Sequence, residues 1–552
     1  MEKLKTLFSK LKGNWKTPPK GYFVSYKEFL YFALGQGSNS FLGVIMGWTA
    51  VAISTPMMIS YFKISTGFVF VSGIAGSIIG LIRAPLLSMI IDNSNSKRGK
   101  FKPFLPVSAI LTAICFSVIP FIPEAWIERN VLSFSVPSIP ILGVSASQVD
   151  ISLGVLVMFA LIQTGSFFST LLAQCLVGIE QVITPVSQER ANIGALKGLV
   201  ANLPSSIVNI IIPLAAGIIF ASSDNPMNNI ALYRGAFPIC SVLGVVFVFF
   251  IYFGVEERTV VDKEFTSRVK FFEGAKVLFL NKYFWIITIY NIIVAVRGNI
   301  NMYLWICNYA IGGQKGAFAL TICNIVLNNA LIPGMLVGPF IIKRLGKRKV
   351  MLISSVGFTV MAFLQLFTIS SPYLMLVAIF MQNLFQGLYY VVGIMTPDVL
   401  DYIQYKTGKR LEGFWQNSNA FVTTICGFFT SALMPIFMSI GGIGFGDNVD
   451  VALKDKAIMT STFESVTWLG IIASVLCIIP FVFYNLTERK HEDYIKALKI
   501  RAAVTNFENG KLTDEDKANI KELVDFAKEE KDEFVTDELS RHSVIDEIYA
   551  LS

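Results

Sequence analysis

Charge is scarce in this chain. Only 15% of its 552 residues are Asp, Glu, Lys or Arg, against 54% hydrophobic, and the mean hydropathy is +0.60. A soluble chain of this length divides into several cores, each wrapped in a charged surface, and the charges to wrap them are missing. Histidine is scarcer still: His491 and His542 are the two present, both beyond the last apolar run. That excludes a His-based catalytic or metal centre within those runs. The seven cysteines all lie inside apolar runs with no close pair, so they read as buried thiols rather than disulfides or a metal site. No nucleophile–base pair, metal-ligand cluster or phosphate-binding loop appears, which argues against an enzyme and for no cofactor or metal. The net charge of +8 would suit nucleic acid if it formed a face. Instead, Lys and Arg sit in short clusters between apolar runs, as membrane topology dictates, so no nucleic-acid partner is expected.

What is abundant is long apolar runs, each able to cross a bilayer as a helix of roughly 20 residues. The first half has them at about 28–53, from Ile64 to the polar turn at Asp92, and at about 103–122, 151–183, 196–222 and 230–254. The second half has them near 283–311, 318–342, 350–370, 373–396, 412–440 and 457–485. The charged stretch 255–282 separates the two sets. Lys97, Arg98, Lys100 and Lys102 follow the second run, and GPFIIKRLGKRK follows the eighth, about 240–250 residues later. Such recurrence marks parallel six-helix repeats. The expected fold is an all-α polytopic membrane protein: twelve transmembrane helices in two six-helix pseudo-repeats, 28–254 and 283–487. The basic clusters place the even-to-odd turns and both termini in the cytoplasm. The basic segment 1–27 is a cytoplasmic lead-in, either lying on anionic lipid or solvated, and lacks the apolar core of a cleaved signal peptide. Residues 488–552 turn charged. LTDEDKANIKELVDFAKEEKDEF reads as a helix capped by Thr513 with Asp516 three residues on, in a tail that folds on the cytoplasmic face, or serves autoregulation or partner docking.

Two stretches carry a resemblance: DNSNSKRGKFKPF after the second run, and TPDVLDYIQYKTGKRLEGFWQNSNAF at 396–421. Together they resemble the melibiose-permease-like glycoside–pentoside–hexuronide:cation symporter family of the major facilitator superfamily. The resemblance implies a mid-membrane substrate cavity between two bundles that rock to expose it alternately. It also implies a coupling cation held by carboxylates on the second span. Here those positions are Gly80 and Ala84, with Arg83 beside them. A guanidinium repels sodium, so a sodium site is not expected, and a proton or no coupling ion takes its place. The family's sugar-binding Asp on the first span corresponds to Asn39. Its fourth-span acid and Trp fall near Val177 and Gln181, and its eleventh-span Lys corresponds to Thr424.

The polar residues within the spans are the candidate site. Arg83 either braces the helices by pairing with a carboxylate such as Glu180, or binds an anionic substrate group through its fork of donors. Arg297 on the seventh span supports an electropositive cavity, or else snorkels to the membrane boundary. Glu180 is the candidate proton-coupling group or an ion-pair partner at the cytoplasmic end. Trp305, Tyr389, Tyr390 and Trp415 either face sugar rings or pack. Asn39, Gln181, Asn299, Asn301, Gln416, Asn417 and Thr424 offer neutral hydrogen bonds to hydroxyls or to other helices. Asp398 and Asp401, with Lys406, Lys409 or Arg410, form a candidate inner latch. Asp92, Lys97, Arg98 and Lys100 are its first-half counterpart. The expected partners are the lipid bilayer and a small molecule, a glycoside, oligosaccharide or uronide, carried across the cell membrane by a monomer. A lipid or lysolipid carrier and a non-transporting sensor with the tail as output are the alternatives.

Overall fold

The computed structural model describes residues 15–18, 23–50, 55–92, 99–136, 147–184, 187–257, 271–298, 302–408, 412–508, 510, 512–530 and 532–550. Its spans are Tyr26–Trp48, Thr66–Asp92, Phe104–Val118, Leu153–Val182, Ser187–Ile219 and Ile230–Gly254 in the first half. In the second half the seventh span is Lys282–Gly298, continued by Met302–Trp305 and the π-helical turn Ile306–Ile311. The eighth is Gly313–Asn329 with Leu331–Leu345, and the ninth is Lys347–Thr368. The tenth runs from Pro372–Gln386 through a 3₁₀ turn into Val391–Thr407. The eleventh and twelfth are Glu412–Ile440 and Lys456–Val482. Ten helices among the described residues are long and apolar enough to cross a membrane, and the apolar part of the fifth span is the shorter Leu203–Ile219.

The first span carries GQGSNS at its middle, which lowers its hydropathy. The small residues there serve close packing. A Cβ on Gly35 would lie 2.2 Å from Ile251 Cγ1 of the sixth span, and one on Gly37 would lie 3.3 Å from Phe247. Buried Gln36 donates to the Leu176 carbonyl of the fourth span at 3.3 Å, so its amide is not left dry.

Within the first six spans, the first packs on the fifth and sixth, and the third on the fourth and sixth. Within the last six, the ninth packs on the tenth and twelfth, and the seventh on the eleventh and twelfth. Two pairs join the sets: span 2 with span 11, and span 5 with span 8. The 2–11 seam is made of small residues. Gly73 faces Ser431, Gly427 faces Ser77, and a Cβ on Gly80 would lie 3.6 Å from Thr424 Cγ2.

The same device closes the turn after the second and the eighth span. Gly99 has φ +109° and Gly346 φ +81°, conformations that disfavour a side chain. In the first, the Glu257 carboxylate accepts from the backbone N–H groups of Lys100, Phe101 and Lys102 at 2.7, 3.0 and 2.8 Å. In the second, Glu488 accepts from the Lys347 N–H. Each acid comes just after the last helix of its repeat.

The connection between the third and fourth spans adds a small antiparallel hairpin, Asn130–Val136 with Ser147–Ser152, to a fold expected to be wholly helical. Its buried Val149 packs with Phe445 of the loop between spans 11 and 12. The tail folds as the helices Glu488–Glu508, Asp514–Glu530, Glu533–Ser540 and Ile545–Ala550. Ile500, Val504, Ile520, Leu523, Val535 and Ile548 form its core. The expected cap is present: the Thr513 hydroxyl accepts from the Asp516 N–H at 3.2 Å, and Asp516 Oδ2 accepts from the Thr513 N–H at 3.0 Å. The tail lies on the end of the tenth span, where Tyr494 stacks on Tyr405 with centroids 4.7 Å apart. We call this end the tail face, and the opposite end the far face.

Candidate functional site

Where the two sets of spans meet, a cavity of about 460 Å³ is lined by Ser40, Gly43, Gly47 and Trp48 of the first span, Ser205 and Asn209 of the fifth, and Tyr303, Leu304 and Asn324 of the seventh and eighth. Gly43 and Gly47 open it: a Cβ on either would meet nothing within 4 Å. A hydrogen-bonded chain fixes the polar wall. Trp48 Nε1 donates to Asn209 Oδ1 at 3.0 Å, Asn324 Nδ2 donates to the Asn209 carbonyl at 2.6 Å, and the Tyr303 hydroxyl donates to Asn324 Oδ1 at 3.4 Å. Trp48 and Asn209 come from the first set and Asn324 and Tyr303 from the second, so the wall bridges the sets. Among the described residues, the lining carries no charged side chain. Amides, hydroxyls and aromatic faces without charge suit a polyhydroxylated ring, whose hydroxyls hydrogen-bond while its C–H face lies on an aromatic ring.

The far face above this cavity is sealed across the two sets. Asn228 Nδ2 donates to Asp450 Oδ1 at 2.8 Å, and Asn308 Nδ2 donates to Asn228 Oδ1 at 2.8 Å. The Tyr309 hydroxyl donates to the same Asp450 oxygen at 2.8 Å. The π-helical turn aims Asn308 and Tyr309 at this point, a common use of such turns. Thr66 Oγ1 donates to the Gly444 carbonyl at 2.8 Å, the Gly67 N–H to Phe445 at 2.8 Å and the Gly313 N–H to Asp224 at 2.6 Å.

The candidate residues scatter more than the sequence implied. Asn39 is exposed and lies one turn from Gly43 on the same helix face, below the cavity. Arg83 is half-buried and forms no ion pair with Glu180, so the bracing pair is absent from this arrangement. Glu180 is half-buried at the end of the fourth span. Arg297 does not snorkel: it is 9% exposed, with its guanidinium 3.5 Å from the Phe358 ring centroid. Trp305 packs parallel to Phe463 in the core, and Trp415 packs edge-on to Phe284 with centroids 5.0 Å apart. Neither lines the cavity. Tyr390 packs on Gly338, its buried hydroxyl without a partner. Tyr389 donates to Asn291 Oδ1 at 2.9 Å. Thr424 sits against Gly80.

Among the described residues, the latch acids have partners that the sequence did not suggest. Asp398 pairs with Lys347 of the ninth span, and Asp401 with His491 of the tail at 3.0 Å, not with Lys406. Lys406 is exposed, its ammonium 5.9 Å from the Tyr405 ring centroid. The reason is geometric: Lys347 and His491 reach the inner side of the tenth span, and Lys406 points out. Lys100 enters the first-half turn through its backbone N–H. Lys97, Arg98, Asn299, Asn301, Lys409 and Arg410, and the side chains of Asp92, Gln181, Gln416 and Asn417, lie outside the described residues.

Sequence reasoning missed Trp48, Asn209, Tyr303 and Asn324, which no motif marks. It also missed Glu257 and Glu488, for which a signal existed: an acid just after the final helix of each repeat.

Residues 62–488 match the family of MFS/sugar transport proteins. The chain belongs to this family. It is not an enzyme family but one of multi-pass membrane carriers. The chain is 24% identical over 449 residues to the uncharacterized symporter YnaJ of Bacillus subtilis (strain 168), covering 77% of this chain and 85% of the relative. It is 22% identical over 498 residues to a lactose permease of Lactobacillus helveticus, covering 87% and 72%. It is 21% identical over 499 residues to a glucuronide carrier protein homolog of Escherichia coli (strain K12), covering 87% and 97%. Among solved structures it is similar to a D-xylose–proton symporter, with a TM-score of 0.55 and 13% identity over 82% of this chain and 97% of that one. This likeness shows the major facilitator fold.

Proposed function

We propose that this carrier moves a glycoside, oligosaccharide or uronide by alternating access, with the sugar held in the cavity of Trp48, Asn209, Tyr303 and Asn324. The observation that carries the reading is the uncharged, hydrogen-bonding wall built jointly by the two sets of spans. A rocking motion of residues 28–254 against 283–487 would take that wall apart and rebuild it. The relatives described as a lactose permease and a glucuronide carrier support a sugar. The polar wall also favours a sugar over a lipid or lysolipid, whose acyl chains need apolar surface.

The tail face is the cytoplasmic one in this reading, because the basic turns after spans 2 and 8 lie there. The sealed far face then makes this the inward-facing state. Glu180 is the proposed proton-carrying residue, and no sodium site is assigned, since Gly80 and Thr424 offer a methyl group and no carboxylate at the seam. Latch roles fall to Asp398 and Asp401 with Lys347 and His491.

The test is uptake of labelled glycosides into vesicles carrying the full chain. Asn209→Ala removes an acceptor from Trp48 and is expected to raise KM at least tenfold for the transported sugar. Wild-type vesicles that accumulate no glycoside, oligosaccharide or uronide would overturn the reading. Loss of response to sugar on deleting residues 488–552, with no uptake by the full chain, would favour a sensor.

A further inference from the structure

A second cavity has no use in the binding of a neutral sugar. It measures about 230 Å³ and lies inside the last six spans, among spans 7, 8, 9, 10 and 12. Arg297 lines it, nine-tenths buried. Arginine stays protonated in proteins, yet this one has no counter-ion among the described residues. Its Nε has no hydrogen-bond partner, and its Nη1 reaches only the Cys477 sulfur at 3.8 Å. The Phe358 face beneath it balances part of the charge.

The other polar groups lining the cavity are the amides of Gln365, Gln382, Asn383 and Gln386 and the hydroxyls of Tyr303 and Thr467, which donate to Asn324 Oδ1 and to the Phe463 carbonyl. Gln365 Nε2 donates to Gln382 Oε1 at 2.6 Å. Whichever amide of that pair donates, one NH₂ group is left over, and Gln386 adds another amide at the wall. A fork of guanidinium donors beside amide donors, with no carboxylate among the described residues that line the cavity, is the donor set for a carboxylate.

This cavity adjoins the neutral one. Tyr303 belongs to the walls of both. Along the eighth span, Asn324 lines the neutral cavity and Leu327, about one turn on, lines this one.

We propose that the Arg297 cavity is a carboxylate subsite: it takes the acid group of a uronide whose neutral part occupies the cavity of Trp48 and Asn209, with Tyr303 between them. The proposal rests on the glycoside-carrier reading and narrows it to acidic sugars. A free small carboxylate or halide has the same chemistry, so the test separates these sources.

The purified full chain is titrated with a neutral β-glycoside, with the β-glucuronide of the same aglycone, and separately with acetate and chloride, following ligand-induced stabilisation. The wild type is expected to bind the glucuronide at least tenfold more tightly than the neutral glycoside, and Arg297→Gln is expected to bring that ratio to near one. Equal binding of the two sugars by the wild type overturns the subsite and leaves the carrier reading standing. Binding of neither sugar overturns both. Acetate or chloride stabilising the protein as much as the glucuronide does, and losing this in Arg297→Gln, overturns the subsite in favour of a free-anion site. If Arg297→Gln does not fold, Gln382→Leu keeps the guanidinium and is expected to cut the ratio at least threefold. An undiminished ratio there overturns the proposal.

Discussion

Asn228 joins the two sets of spans at the far face through both ends of its amide, and its removal should shift the carrier toward the outward-open state. Its nitrogen donates to the Asp450 carboxylate and its oxygen accepts from Asn308, each at 2.8 Å. A hydrogen bond to a charged group contributes about 1.5–3 kcal/mol and a neutral one about 0.5–1.5 kcal/mol, net of water. Both bonds cross between the sets, so both break when the far face opens. Asn228→Ala therefore removes about 2–4.5 kcal/mol from only the state with the far face closed, the inward-facing one in the proposed reading. Asp450 keeps Tyr309 at 2.8 Å and Lys454 at 3.0 Å, so no carboxylate is orphaned and the fold is spared. At 1.4 kcal/mol per factor of ten, the lower bound is roughly a 30-fold rise in the outward-open population. A Gly47→Cys reporter reads this population, because Gly47 lines the cavity with open space before it. Alkylation by a membrane-impermeant maleimide added from outside should be about 30-fold faster, or more, with Asn228→Ala than without it. An unchanged rate would refute the gate, and slower labelling would reverse its assigned sense.

Replacing sodium by potassium at fixed pH and voltage should leave vesicle uptake unaltered, because Gly80 and Thr424 meet where the family resemblance places charges. A steep sodium requirement would show a cation site built elsewhere. Gly346→Ala should destabilise the chain by about 1–3 kcal/mol in thermal unfolding, since φ is +81° there and the new Cβ would lie 2.8 Å from Glu488 Oε2. In the tail, burial works to raise the Asp516 carboxyl, but hydrogen bonds from the Thr513 hydroxyl and N–H and from Asn506 outweigh it and hold the group below its ordinary value. The stabilisation is then complete above the unfolded value, about 3.9, and disappears as pH falls through the lower folded one. Hydrogen exchange of Asp514–Glu530 should show wild type more protected than Asp516→Asn near neutral pH, with the gap closing below that value. A gap independent of pH would contradict the cap.

The spans, the repeat and the tail helix were legible because each is a local pattern. A run of about 20 apolar residues, a glycine turn rich in Lys, and a Thr three residues before an Asp all announce themselves within a short window. The cavity was not legible, for the opposite reason. Trp48, Asn209, Tyr303 and Asn324 lie on four separate segments, and each alone is an ordinary span residue. Charge drew attention to Arg83 and Glu180, yet the two are not paired with each other, while Arg297 is buried, stacked on Phe358 and inside a bundle. The aromatic residues Trp305 and Trp415 mark packing for a similar reason: in an apolar span most ring faces meet other rings. The acids at Glu257 and Glu488 were half-legible, since their place after the sixth and twelfth spans repeats but their reach back to Lys100 and Lys347 does not show in sequence.

The 2–11 seam explains why the departures from the family pattern occur together. The resemblance places carboxylates at Gly80 and Ala84 and a Lys at Thr424. The structure brings Gly80 and Thr424 into contact, and continues the seam as Ser77 with Gly427 and Gly73 with Ser431. Losing the carboxylate alone would leave a buried ammonium uncompensated, and losing the Lys alone would leave a buried acid. Removing one partner of a buried pair costs about 3–5 kcal/mol, whereas replacing both by well-packed neutral residues is close to neutral or stabilising. A joint loss is thus the low-cost route from an ion-coupled seam to a small-residue one. It also changes what the rocking motion must break: close contacts of glycine and hydroxyl side chains, which separate without exposing an unpaired charge. Among the described residues, the buried cation is Arg297, at the wall of its own cavity, while Arg83 on the second span is half-buried. On the proposed reading of the Arg297 cavity, electrostatic selectivity sits inside one bundle and off the seam where the halves slide, so it need not be undone in each transport cycle.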